Sequence, residues 1–234
     1  VVFDEVQKFP RAREAIKHLV ADGRYHYIET GSLISINKNV KDILIPSEEH
    51  RIPMYPMDFE EFLWAIGDET TMPLVKKRFE DLKPLGTDVH HQIMDLFRQY
   101  MIVGGMPQAV AKFAATRDLE AVDSVKRDIL ALYCADIQKY GGVIRHKALS
   151  VFNAIPSQLS KHEKRLKLSE VRPGGRMRDF ESTLDWLESA MTVNVCRRAI
   201  EPNVGLEMAS DRMSAKCYMG DTGLLVSHAF GENE

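Results

Sequence analysis

The residues with the clearest chemical potential stand at the start of the sequence. The run Val1-Val2-Phe3-Asp4-Glu5 reads as an apolar strand that delivers an aspartate and then a glutamate to its C-terminal end. In P-loop ATPases an aspartate so placed holds a magnesium ion, usually through water, and the carboxylate after it polarises the attacking water. A strand that merely ends in two solvated acids would carry the same residues. Thr30-Gly31-Ser32 strengthens the catalytic reading, because it closes the next strand and brings Ser32 toward the same sheet edge. A short hydroxyl there could sense a γ-phosphate or orient the water, although Thr, Gly and Ser are also ordinary turn residues. The phosphate-gripping half of such a site is missing. No G-x-x-x-x-G-K-[ST] occurs in the 234 residues, and Gly104-Gly105, Gly141-Gly142 and Gly174-Gly175 lack the lysine and the strand-to-helix context.

A second candidate is electrostatic. Between Lys161 and Asp179, seven basic residues (Lys161, Lys164, Arg165, Lys167, Arg172, Arg176 and Arg178) stand against three acids (Glu163, Glu170 and Asp179). On a winged helix such a segment could neutralise phosphates and bind DNA. A solvated face or a protein-docking surface would have the same composition. Few aromatics interleave with these charges, so stacking on single strands has no support. The histidines form no metal-binding spacing, and no ligand set is assigned to them. Cys134, Cys196 and Cys217 are widely spaced, and each reads as a small buried hydrophobe in a reducing cytosol.

The elements that must position these residues follow from periodicity. Val1 to Phe3, a helix opened by Pro10 with Ala15, Ile16, Leu19 and Val20 in register, and a strand from Tyr25 to Ile28 form a parallel βαβ unit. Residues 33 to 57 read as loop, with strand pieces at Ile43 to Ile45 and Ile52 to Tyr55. Asp58 and Glu61 form a capping box that starts a helix with Phe59, Phe62, Leu63 and Ile66 on its buried side. The chain is then helical to about residue 155. Val89, Ile93, Leu96, Phe97 and Tyr100 make one stripe, and Gly104-Gly105-Met106-Pro107 breaks that helix and starts the next. Val122, Val125, Ile129, Leu132, Tyr133, Ile137 and Tyr140 make a second stripe, closed by Gly141-Gly142. A helix from Lys147 to Ile155 is expected to stop at Pro156, with a short helical piece from Ser157 to His162. After it come a small strand at Lys167 to Val171, a turn at Pro173-Gly174-Gly175, and a helix aligning Phe180, Leu184, Leu187 and Met191. Strands at Thr192 to Ile200 and Cys217 to Met219 complete the outline of a winged helix-turn-helix.

Composition narrows the class. With 31 basic and 34 acidic side chains the net charge is −3, so whole-protein charge gives no argument for nucleic acid. Apolar residues make up 44%, enough to bury a core and to exclude disorder as the main state. No apolar run approaches the roughly 20 residues a membrane helix needs. The chain opens on Val1, already in a strand, and is read as a fragment that begins inside a structural element.

Six blocks carry a family resemblance. They are Val1-Val2-Phe3-Asp4-Glu5-Val6-Gln7, Glu29-Thr30-Gly31-Ser32-Leu33, Met57-Asp58-Phe59-Glu60-Glu61-Phe62-Leu63, Val103-Gly104-Gly105-Met106-Pro107, Ile155-Pro156-Ser157-Gln158-Leu159 and Asp221-Thr222-Gly223-Leu224-Leu225. In this order the chain resembles the AAA-type ATPases that carry the domain of unknown function DUF4143. The resemblance implies ATP and magnesium as cofactors of the full-length parent, with Asp4 for the metal, Glu5 for water activation and Ser32 as polar sensor. It also sets Arg51 where such proteins often have a basic residue, with a nucleotide-contacting or interface role.

The expected fold is α/β plus mostly α. Residues 1–57 would be the C-terminal part of a P-loop NTPase parallel sheet, 58–140 a helical region, and 141–234 a winged-helix-like part. The parent would hydrolyse ATP in the cytoplasm and couple it to DNA or a protein through Lys161 to Arg178. This chain alone would be inactive. The rival reading is a DNA- or protein-binding winged-helix module without ATPase activity, and a third is a non-functional truncated product.

Overall fold

The computed structural model describes residues 1–8, 10–31, 50, 52–201, 205–206 and 209–231. At the N-terminus β1 (Val2–Phe3) and β2 (Ile28–Glu29) pair in parallel, Val2 opposite Ile28 and Phe3 opposite Glu29. Helix α1 (Pro10–Asp22) joins them, with Ile16 buried on its inner side. This is the expected βαβ unit, displaced slightly in its second strand. Tyr25 and Tyr27 stay outside the ladder, their rings meeting edge to face, while Tyr27 stacks on Phe3 at 6.2 Å. The strand piece at Ile43 to Ile45 lies outside the described residues. Ile52 to Tyr55 forms no strand: Ile52, Met54 and Tyr55 are exposed. A strand needs a neighbouring ladder, and among the described residues the backbone of this stretch finds a partner at Met57, whose N–H donates to the Gly105 carbonyl at 2.8 Å.

The helical region is α2 (Phe59–Ala65), α3 (Thr71–Glu80), α4 (Thr87–Val103), α5 (Pro107–Thr116) and α6 (Leu119–Tyr140). Asp58 caps α2 through the Glu61 N–H at 2.9 Å, and the Glu61 carboxylate returns to the Asp58 N–H at 2.8 Å, so the capping box is present in full. Proline opens α5 at its first turn, where a missing N–H costs nothing. Phe62, Leu63, Val103, Ala109, Val110, Phe113 and Val122 form one buried cluster. Phe62 packs between Tyr100 and Phe113, with ring centroids 5.5 and 5.9 Å away. Along α6 the expected stripe is rotated in one place. Leu132 is exposed, while Lys126, which lies next to Val125 and outside the expected stripe, is buried.

The second cluster gathers Ile129, Leu130 and Ile137 of α6 with the elements that follow. These are α7 (Arg145–Leu159), α8 (Leu168–Val171), α9 (Glu181–Ser189), the antiparallel hairpin β3 (Val193–Ala199) and β4 (Ser210–Met219), and α10 (Thr222–Ala229). Helix α6 therefore serves both cores. Three expectations change here. Helix α7 runs through Pro156 to Leu159 instead of stopping. The strand expected at Lys167 to Val171 is instead the short helix α8 with Lys167 as its N-cap residue: the buried Gln158 side chain accepts from the Lys167 N–H at 3.0 Å, and the Leu166 N–H pairs with the hairpin at the Ala215 carbonyl. Cys217 is buried as expected, but Cys196 is exposed on β3 because its neighbours Val195 and Arg197 take the inward face. Among the described residues no helix is long and apolar enough to cross a membrane.

Candidate functional site

Two places in the fold bring motif residues together. The first is the C-terminal edge of the β1–β2 pair. The Thr30 hydroxyl donates to the Asp4 Oδ1 carboxylate oxygen and accepts from the Glu5 N–H at 3.3 Å. The Thr30 and Val6 backbones complete the junction, with Thr30 N–H on the Phe3 carbonyl at 2.9 Å and Val6 N–H on the Thr30 carbonyl at 3.0 Å. Glu5 has φ of 54°, a left-handed conformation rare for a residue with a Cβ, which turns the chain sharply at the strand end. Its carboxylate lies 3.5 Å from the Lys8 ammonium. Asp4 is exposed and Glu5 half-buried. The edge thus offers two carboxylates and a hydroxyl, hard oxygen donors of the type that suits a magnesium ion. Thr30, which the sequence reading treated only as a neighbour of Ser32, is the residue that orients Asp4. Ser32 and Arg51 lie outside the described residues.

The second place is formed by three of the motif blocks. Gly105 N–H donates to Asp221 Oδ2 at 2.6 Å, while Leu224 N–H donates to Asp221 Oδ1 at 2.8 Å, so one buried carboxylate caps α10 and ties it to the α4–α5 turn. On the other side of Gly105, its carbonyl accepts from Met57, and the Met57 carbonyl accepts from the Tyr100 hydroxyl at 2.9 Å. The approach is so close that a Cβ on Gly105 would meet the Met57 carbonyl oxygen at 2.0 Å. Across the clasp, Gly223 leaves room for the Val103 carbonyl. Burial pushes the Asp221 carboxyl above its ordinary range, and the N–H groups of Gly105, Leu224 and Gly223 offset only part of that.

Lys126 completes the clasp from α6. Its ammonium donates at 2.8 Å to the Ile102 carbonyl in the last turn of α4, where a cation also complements the helix dipole. Burial pulls this ammonium below its usual range, and Asp123 and Asp221 work against that. Asp123, raised by burial but held lower overall by Ser227 and Arg127, fastens the other end of α10. These are packing roles. The sequence reading missed them, although Asp221 ahead of an apolar run is a visible N-cap signal.

The basic segment does not converge on one site. Lys161 pairs with Glu170, and Lys167 lies 3.8 Å from Glu163. Lys164 donates to the Leu159 carbonyl at the end of α7, and Arg165 to the Met213 carbonyl on β4 at 3.3 Å. Arg172 and Arg176 flank the Pro173–Gly175 turn and are exposed. The helix that follows, α9, is acidic. It carries Glu181, Asp185 and Glu188 without a basic residue, and Asp185 and Glu188 hold Arg197 of β3 at 2.8 and 3.4 Å.

Comparison with protein families places both regions. Residues 1–63 match an AAA domain, which supports an AAA-type, nucleotide-binding family for the segment that holds Asp4 and Glu5. Residues 94–233, more than half of the chain, match the domain of unknown function DUF8612, where the resemblance had pointed to DUF4143. No curated protein matches the chain. By the extent of that second match, which takes in Gly105, Lys126 and Asp221 of the clasp, the hairpin and α10, the chain belongs to the DUF8612 family.

Proposed function

We propose that this chain works in an ATP-hydrolysing AAA protein, with residues 1–57 contributing the water-activating edge of the nucleotide site. The observation that carries this reading is the Asp4–Thr30 junction at the C-terminal end of a parallel βαβ unit, inside the segment that matches an AAA domain. Open α/β sheets bind their ligands at that edge. Asp4 would hold magnesium, kept in orientation by the Thr30 hydroxyl. Magnesium, when bound, neutralises charge on the phosphates. Glu5 takes a proton from the attacking water, Ser32 senses the terminal phosphate, and Arg51 contacts nucleotide or a neighbouring subunit. The 234 residues contain no G-x-x-x-x-G-K-[ST] motif, so in this reading the phosphate-gripping loop is supplied from outside them. In a chain that carries such a loop ahead of β1, Glu5→Gln should lower ATP turnover about 100-fold while ATP binding is kept. Unchanged turnover would remove Glu5 from the mechanism.

The helical region 58–140 then joins this edge to a winged-helix-like unit, residues 141–234, in a cytoplasmic protein. We read the partner of that unit as a protein rather than DNA. A third helix bearing Glu181, Asp185 and Glu188 would meet the phosphates of a groove with like charge. Arg172 and Arg176 favour the rival reading, since they are exposed cations beside the turn. Titrating duplex DNA at rising salt separates the two. Weak binding with a shallow salt slope is expected, and a steep slope would restore the DNA reading.

A further inference from the structure

Helices α6 and α7 meet at a corner whose charges run against the usual preference. Arg145, His146 and Lys147 open α7, its first turn holds no acid, and no side chain caps it. Cations there face the positive end of the helix dipole, where carboxylates are favoured. Lys139, in the last turn of α6, adds a further cation beside them. From Ala135 to Leu149 the acid is Asp136 alone, against Lys139, Arg145 and Lys147. Natural sequences break such local preferences mainly at functional sites. The corner is also tightly built. A Cβ on Gly141 would meet the Ile137 carbonyl oxygen at 2.5 Å and the Arg145 Cα at 2.9 Å, so glycine lets the two helices approach.

Between the helices lies an open cleft of about 600 Å³, lined by Ala135, Gln138 and Lys139 of α6 and by Arg145, His146 and Leu149 of α7. That volume is in the range of small-molecule sites. The Arg145 Nε–H donates to His146 Nε2 at 3.4 Å, which leaves the two terminal guanidinium nitrogens to the cleft. Among the described residues no carboxylate pairs with Arg145 or His146. Lys139 stands over the Tyr140 ring at 4.9 Å, and Lys147 is engaged elsewhere, donating to the Asp179 carbonyl at 2.8 Å. We propose that this cleft binds a small organic phosphate, its phosphoryl group on Arg145 and Lys139 and its apolar part against Ala135 and Leu149. A guanidinium fork matches two phosphoryl oxygens, and the ammonium adds a point charge. A dianion held there offsets the cations that open α7 and meets the positive end of its dipole. The site shares no residue with the Asp4–Glu5 edge and does not depend on the nucleotide reading.

The test titrates the full chain with phenyl phosphate and follows NMR shifts. In the unmodified chain saturable shifts should gather on Ala135, Gln138, His146 and Leu149, and shifts gathered elsewhere would sink the proposal. Inorganic phosphate should bind about tenfold more weakly, because it lacks the apolar contact. Equal affinities would reveal a bare anion site and overturn the organic part of the assignment. Arg145→Gln should lower the affinity for phenyl phosphate about tenfold, and Arg145→Lys should recover part of the loss. Arg172→Gln, in the exposed basic segment, should change it by less than about twofold. Equal losses from Arg145→Gln and Arg172→Gln would mean diffuse attraction and overturn the site. Duplex DNA that displaces phenyl phosphate more readily than inorganic phosphate does, counted per phosphate, would give the cleft to nucleic acid instead.

Discussion

Gly105→Ala is expected to cost at least about 3 kcal/mol of folding stability, the upper end of what overpacking usually does. The added methyl would sit 2.0 Å from the Met57 carbonyl oxygen and 2.7 Å from the Met57 nitrogen, both backbone atoms. No rotamer relieves such an overlap, since the methyl has none to choose. Relief requires the segment before α2 to move away, which breaks the Met57–Gly105 hydrogen bond and pulls the Met57 carbonyl from Tyr100. The same movement disturbs the Gly105 N–H that Asp221 accepts. Urea unfolding followed by far-ultraviolet circular dichroism reads the cost. A loss below about 1 kcal/mol would show that the approach of the two backbones is looser than this geometry requires.

The second large effect is expected for Asp221→Ala, at about 3 kcal/mol. Losing the N-cap of α10 accounts for about 1 kcal/mol. Leaving the Gly105 N–H buried and without an acceptor adds about 2 kcal/mol. Asp221→Asn should cost less than the alanine, because its one carbonyl oxygen keeps one of the two bonds, but its amide N–H₂ must then face another donor. The two changes share a contact, so the double variant of Gly105→Ala and Asp221→Ala should lose less than the sum of the singles. Additive losses in that cycle would mean that the clasp is not one unit.

Much of the local structure is legible in the residues. The capping box at Asp58 and Glu61, the proline that opens α5 and the strand–helix–strand start all obey rules that act within a few positions. The hairpin is legible in part: β3 falls within the strand read at Thr192 to Ile200, while of β4 only Cys217 to Met219 reads as a strand. The failures share another cause. Pro156 reads as a helix stop, yet α7 continues, because the apolar residues Phe152, Ile155 and Leu159 on both sides of it remain packed in the core. Lys126 stands outside the apolar stripe of α6, yet it is buried, because α4 ends against it and offers the Ile102 carbonyl. The strand at Lys167 to Val171 reads as plausible by composition, but Gln158 captures the backbone where pairing would have begun.

The candidate site divides along the same line. Asp4 and Glu5 at a strand end follow from residue type and order, and the match of residues 1–63 to an AAA domain agrees with that reading. That Thr30 rather than a charged group orients Asp4 depends on which strand lies beside which, a matter of register in space. The basic run from Lys161 to Arg178 is plain in the residues, but its partition among Glu170, Glu163 and backbone carbonyls is a product of packing.

By itself the sequence determined most of the element types, several of the caps, and the acids at the end of the first strand, because each rests on bonds between near neighbours. Only the tertiary structure decided what the glycine blocks are for. Gly105 and Asp221 stand 116 positions apart, and nothing in either neighbourhood announces the other. A carboxylate, two glycines and a lysine acquire their meaning from backbones brought within van der Waals distance, and that distance is set by the whole core.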